Sequence, residues 1–221
     1  MTRPFVTLEL ECDGYNIYRL DRRKGMGGGV MEAVSTEITS SKVKVNAVKD
    51  SEILWTKVHC QGHKDILIAA CYRPDVSDKI ISGELRDCLT ELVNSRKTPF
   101  GIVVAGDFNF PGWNWQENII KPGSQYVGLL HQDFRDILDD FGMIKHITEP
   151  TRVRNTLDLI ATNMPEQVNN PRVIPGISDH AIAYLELSVK PIKKTQPTRN
   201  VYLYNKADWK GMREVLIPRL E

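Results

Sequence analysis

The stretch Gly101-Ile102-Val103-Val104-Ala105-Gly106-Asp107-Phe108-Asn109 decides how this chain is read. The run before Gly106 is short, rich in β-branched residues and preceded by Thr98-Pro99. That is the pattern of a buried strand. It ends in a carboxylate, Asp107, and two residues on in a carboxamide, Asn109. At a period of two, both side chains point to the same side. A carboxylate and a carboxamide at the mouth of a buried strand suit a hard cation and a phosphate oxygen. The tetrapeptide Gly106-Asp107-Phe108-Asn109 equally suits a plain strand-to-turn exit, because Gly, Asp and Asn are common turn residues. On this stretch alone the two readings balance.

Bulk properties narrow the field. At 221 residues the chain fits one domain with a short appendage. Hydrophobic residues make up 41% and charged residues 26%, an ordinary globular composition. With a formal net charge of +1, any nucleic-acid affinity must come from local patches. The cysteines (Cys12, Cys60, Cys71, Cys88) form no C-x-x-C pair, which argues against a zinc site. Cys60 and Cys71 lie in apolar runs and read as buried thiols, which favours a reducing compartment. No apolar run approaches the ~18 residues of a membrane span. Phe5-Val6-Thr7-Leu8-Glu9-Leu10 alternates like a strand and lacks the apolar core of a signal peptide, so an intracellular protein of nucleus or cytoplasm is expected.

Working outward, residues 5–11 and 15–20 read as strands joined at Asp13-Gly14. Arg19, Arg22, Arg23 and Lys24 make a basic cluster, either a phosphate-backbone track or a solvated turn. The glycine-rich Gly25-Met26-Gly27-Gly28-Gly29 lacks the Gly-Lys-Ser/Thr ending of a phosphate-binding loop, and a tight turn with close backbone approach is the better reading. Strands are expected over 30–34, 42–48, 53–60 and 66–72. The last is apolar on both faces and so central. Helical spacing marks 78–96 and 124–140, the second with Gly142 as its C-terminal cap. Strands at 156–162, 172–174 and 181–189 close the domain. From residue 190 a basic, proline-containing linker begins, with a helix-like segment near 207–217. The expected organisation is a domain over 1–189 and, over 190–221, a linker with the start of a following region. The fold class is α+β, two packed mixed sheets with helices outside, a four-layer αββα sandwich.

Further elements join Asp107 and Asn109. Tyr72-Arg73-Pro74 ends a central strand, Thr156-Leu157-Asp158-Leu159-Ile160 places one carboxylate in an apolar strand, Ser178-Asp179-His180 precedes the last strand, and Glu149-Pro150-Thr151-Arg152 leads toward Asp158. A carboxylate in a buried strand is costly unless paired. Histidine is its natural partner, because the carboxylate fixes the tautomer and raises basicity. Trp113 and Trp115 either stack on bases or anchor their own loop.

This ordered set resembles the endonuclease/exonuclease/phosphatase family, the deoxyribonuclease I-like fold, and within it the apurinic/apyrimidinic-type endonuclease domain of non-LTR retrotransposons. The matching pieces are Gly14-Tyr15-Asn16-Ile17-Tyr18-Arg19, Gly27-Gly28-Gly29-Val30, Cys71-Tyr72-Arg73-Pro74, Ala105-Gly106-Asp107-Phe108-Asn109, Thr156-Leu157-Asp158-Leu159-Ile160 and Ser178-Asp179-His180. The resemblance implies a metal-dependent phosphodiesterase that nicks DNA through its phosphate backbone, as a monomer, with a reverse transcriptase region following. It implies that Asp107 and Asn109 contact the scissile phosphate and attacking water, and that Asp179 helps bind Mg²⁺ or Mn²⁺. His180, oriented by Asp158, would contact the phosphate or shuttle a proton, and Tyr72 would bond a phosphate oxygen. Arg73, Thr151, Ser178 and Trp113 are candidates for substrate contacts.

The chain also departs from the family pattern. Family members begin with a strand carrying a site Asn and a strand ending in a metal-binding Glu, and neither is present here. Glu9 and Glu11 lie too close to the next strand to serve. An N-terminally truncated domain missing its first strands, with weakened metal binding and exposed sheet edges, is therefore expected. The alternatives are a catalytically silent remnant that binds nucleic acid and a phosphoester phosphatase of the same fold.

Overall fold

The computed structural model describes residues 11–22, 28–62, 65–95, 101–121, 128–194 and 204–216. Expectations over 5–10, Arg23, Lys24, the start of the 124–140 helix and 195–203 fall outside them. The chain forms β1 (Tyr15–Asp21), β2 (Gly29–Ser35), β3 (Ser40–Val43), β4 (Glu52–Val58), β5 (Ile66–Tyr72), α1 (Ile80–Asn94) and β6 (Gly101–Asp107). There follow β7 (Trp113–Asn114), β8 (Ile119–Ile120), α2 (Gly128–Asp140), β9 (Ile144–Lys145), β10 (Asp158–Thr162), β11 (Val168–Ile174), β12 (Ile182–Leu187) and α3 (Trp209–Leu216).

Six strands make the central sheet in the order β3-β4-β5-β6-β10-β9. Only β5 and β6 run parallel, and α1 connects them. The apolar 66–72 run sits between β4 and β6, as its two-faced hydrophobicity predicts. Period-two alternation then divides the sheet into two faces. One face, with Ile53, Trp55, Leu67, Ala69, Ile102 and Val104, packs under α1 and α2. On α1 the buried Ile81, Leu85, Cys88, Leu89 and Leu92 follow helical spacing. Helix α2 ends in a Schellman motif: Met143 N donates to Leu138 O at 2.7 Å and Gly142 N to Asp139 O at 3.1 Å.

The opposite face carries two separate two-stranded ribbons, β1–β2 and β11–β12, where a continuous second sheet was expected. Ribbon β1–β2 lies over β4 and β5, with the Glu32 carboxylate accepting bonds from Thr56 Oγ1 and, at 3.1 Å, Ala70 N. Ribbon β11–β12 lies by β10, and its Leu187 packs against the buried cluster that holds Ile66 and Val103. The class is α+β, with helices on one face of the central sheet and ribbons on the other.

Two local differences have clear causes. Strand β3 stops at Val43, although alternation continues to 48. Two carboxylates of α1 take over the following backbone: Glu91 accepts from Asn46 N and Ala47 N, and Glu84 from Lys49 N, Asp50 N and Ser51 N. Backbone donors satisfied by side chains have no need of a ladder. Residues 190–194 of the expected linker bond along the domain, with Thr39 N donating to Ile192 O and Ile192 N to His59 O. All four cysteines are free, and Cys60, Cys71 and Cys88 are buried. No helix among the described residues is long and apolar enough to cross a membrane.

Candidate active site

The site is a row across the sheet. Asp158 of β10 pairs in register with Asp107 of β6, Asp107 with Tyr72 of β5, and Tyr72 with Glu52 of β4. Register partners project to the same face, so four polar side chains line one ledge on the ribbon side. At inter-strand spacing the ledge spans about 14 Å. It lies where β5 and β6 both end, and His180, just before β12, closes over Asp158.

Local structure explains why Asp107 can sit there. Gly106 has φ +146°, and a Cβ on it would lie 1.8 Å from the Cys71 carbonyl oxygen, so only glycine allows β5 and β6 to meet here. Asn109 has φ 49°, a left-handed conformation that Asn tolerates. The turn brings Asn109 N to Asp107 Oδ1 at 3.0 Å. Phe108 and Phe110, each 1% exposed, staple the turn on both sides to Phe134 of α2, with ring centroids 4.7 and 5.0 Å away.

Asp107, Asp158 and His180 each offer a ligand atom, all within 4.8 Å of one another. His180 Nδ1 lies 2.8 Å from Asp158 Oδ2, the pairing expected from a carboxylate in an apolar strand. The Asp107 carboxyl is held above its ordinary value, first by burial and then by the facing charge of Asp158. Two carboxylates opposed on neighbouring strands repel and favour a cation between them. Oxygen donors with one imidazole fit a hard or borderline divalent ion such as Mg²⁺ or Mn²⁺.

The other expected residues are distributed differently. Asp179 is exposed and pairs with Arg152 Nη2 at 2.6 Å, outside the three-residue cluster. Ser178 is exposed beside it, its Oγ 3.3 Å from His180 N. Three residues expected to touch substrate are interior. Arg73 is 0% exposed; its guanidinium donates to the carbonyls of Asn109, Val76 and Asp78 and lies over the Phe110 ring. It holds the Asn109 turn from behind. Thr151 is buried, and its hydroxyl accepts from Leu157 N and Asp158 N, seating β10. Trp113 is buried and stacked on Trp115 at 4.4 Å, so it anchors its own loop and faces no base.

Sequence reading missed Glu52 altogether and gave Arg152 no role. Glu52 is buried and sits in the same register row as Tyr72. Cross-strand register would have been needed to find it. The basic cluster divides: Arg19 pairs with Asp21, Arg22 with Glu52, and Arg23 and Lys24 lie outside the described residues.

No sequence among the curated proteins matches the chain. Solved structures share its fold. The catalytic domain of APE2 from Xenopus laevis superposes with a TM-score of 0.57 at 13% identity, over 84% of this chain and 79% of that one. An endonuclease/exonuclease/phosphatase family protein from Leptotrichia buccalis gives 0.50 at 15% identity, over 83% and 75%. The profile of the endonuclease–reverse transcriptase family matches residues 66–184, more than half of the chain, taking in Tyr72, Asp107, Asp158 and His180, and the chain belongs to that family.

Proposed function

We propose that this chain is a divalent-metal-dependent phosphodiesterase that nicks DNA. The observation that carries the reading is the cluster of Asp107, Asp158 and His180 at the end of β6 and the start of β10. Asp107 and Asp158 would hold the cation, and Asp179 would join them by exchanging Arg152 for it. A cation there polarises a phosphoryl oxygen and lowers the pKa of bound water. Asp158 takes Nδ1 of His180, which leaves Nε2 to exchange a proton with the attacking water or the phosphate. Asn109 and the hydroxyl of Tyr72 contact the phosphate from the two neighbouring strand ends. No group of the ledge needs to form a covalent intermediate. Placement in a retroelement protein with a reverse transcriptase region rests on the motif set and the family match.

The test is nicking of supercoiled plasmid with Mg²⁺ or Mn²⁺, with EDTA as control. Nicking should require the cation. Asp107→Asn and His180→Ala should each lower it by about a hundredfold or more, the scale of lost acid–base catalysis. Asp158→Asn should lower it by a similar factor, because it takes a carboxylate from the cation and the anionic partner from His180. Clean protein with no metal-dependent nicking would leave the silent nucleic-acid binder as the better reading.

A further inference from the structure

The far end of the ledge carries a unit that the cluster chemistry leaves unused. Glu52, 8% exposed, has both carboxylate oxygens engaged: Arg22 Nε donates to Oε1 at 2.5 Å and Gly29 N to Oε2 at 2.6 Å. One buried carboxylate therefore fastens both Arg22 and Gly29 to β4. Engaged in this way, Glu52 is not free to take a cation. The guanidinium of Arg22 lies against Gly28, where a Cβ would meet Arg22 Cζ at 2.3 Å. The missing side chain of Gly28 thus leaves the room that the guanidinium fills. From there the guanidinium lies over the Tyr72 ring, with Cζ 5.6 Å from its centroid.

A guanidinium over the face of a tyrosine is attracted by the ring quadrupole and fixes the ring in place. A phenol ring held in this way keeps its hydroxyl at the ledge. Its neighbour on the other side of the row is Asp107. We propose that Arg22, locked by Glu52 and seated on Gly28, is a positioning residue that holds the Tyr72 ring so that its hydroxyl meets a phosphate bound at the Asp107–Asp158–His180 cluster. This rests on the phosphodiesterase reading for the identity of the phosphate. Arg22 acts through Tyr72, so the two behave as one unit. A lysine cannot replace it, since a single ammonium lacks the fork that engages Glu52 and Tyr72 together.

A double-mutant cycle on binding tests the unit without requiring turnover. The dissociation constant of a fluorescent DNA duplex is measured by anisotropy in EDTA for the wild type, Arg22→Ala, Tyr72→Phe and the double variant. Each single variant should weaken binding about tenfold, the scale of one hydrogen bond to a charged group. The double variant should be no weaker than about twofold beyond the worse single, and Arg22→Lys should behave like Arg22→Ala. Losses that multiply to about a hundredfold, or an Arg22→Ala variant that binds as the wild type does, would overturn the proposal. Should Arg22→Ala unfold, as read by its thermal midpoint, Glu52→Gln takes its place, because it loosens the anchor and leaves the arginine. Coupled binding without metal-dependent nicking would sink the hydrolase reading and leave the unit standing. Nicking with multiplying losses would do the reverse, and a chain that does not bind DNA overturns both.

Discussion

Arg73 sets the geometry of the site without touching its open face. Its guanidinium holds the carbonyl of Asn109 at 2.9 Å and those of Val76 and Asp78 at 2.6 and 3.0 Å, while Phe110 covers its plane. Arg73→Lys keeps the charge and loses the fork. Buried carbonyls left unpaired cost about 1–3 kcal/mol each, so a loss of about 3 kcal/mol in urea unfolding is expected. The Asn109 turn should move with it, and nicking should fall more steeply than stability alone accounts for. Full nicking by a destabilised Arg73→Lys protein would show that the turn does not depend on this arginine. At this scale the sequence was legible where a residue type has one sensible use. Asp158 in an apolar strand asked for a partner, and His180 supplies it. It was opaque for Arg73 and Trp113, whose types serve a substrate and a core equally well. Which side of the backbone they occupy is decided by packing against Phe110 and Trp115.

Among the elements, β2 carries an unusual carboxyl group. Glu32 lies between the β1–β2 ribbon and the central sheet, and burial raises its carboxyl from 4.5 to about 7, against the opposing bonds from Thr56 and Ala70. The folded state therefore keeps a proton that the unfolded chain releases between about pH 4.5 and 7. The stabilisation is complete below that window and is lost as the pH rises through it. By proton linkage the loss is about 3 kcal/mol. Glu32→Gln should remove this slope, seen as closely similar urea midpoints at pH 5 and pH 8 where the wild type falls. An equal fall in both proteins would place the titrating group elsewhere. Strand positions themselves were largely readable: the 66–72 run is β5 as expected. Expectation fell short at β11, which runs from Val168 although 172–174 alone was foreseen. Its Asn169, Asn170 and Arg172 are exposed, and a ribbon with a wet face shows little hydrophobic alternation.

For the molecule as a whole, the layers follow from period-two and helical patterning, whereas the division of the second layer into two ribbons depends on which strands meet. That division has a dynamic consequence. Within the central sheet β5 is bonded on both sides, by β4 and β6, but in each ribbon a strand has only one partner. A two-stranded ribbon is marginal by itself, so its stability comes from what it rests on. Ribbon β1–β2 is tied down by Glu32 and by the Glu52 contacts to Arg22 and Gly29. Ribbon β11–β12 is held chiefly by Leu187 and by Ala181 N donating to Thr151 O at 2.7 Å. Native-state hydrogen exchange should therefore rank β4, β5 and β6 slowest, then β1–β2, then β11–β12, with the last exchanging about a hundredfold faster than the sheet. His180 stands at the entrance to β12, so opening this ribbon withdraws the imidazole from Asp158. A divalent cation together with a DNA duplex of non-hydrolysable backbone linkages, in EDTA-free buffer, should slow exchange at Ala181 and along β12 more than along β1–β2. Equal protection of the two ribbons would mean that ligand binding does not bear on the element that carries the histidine.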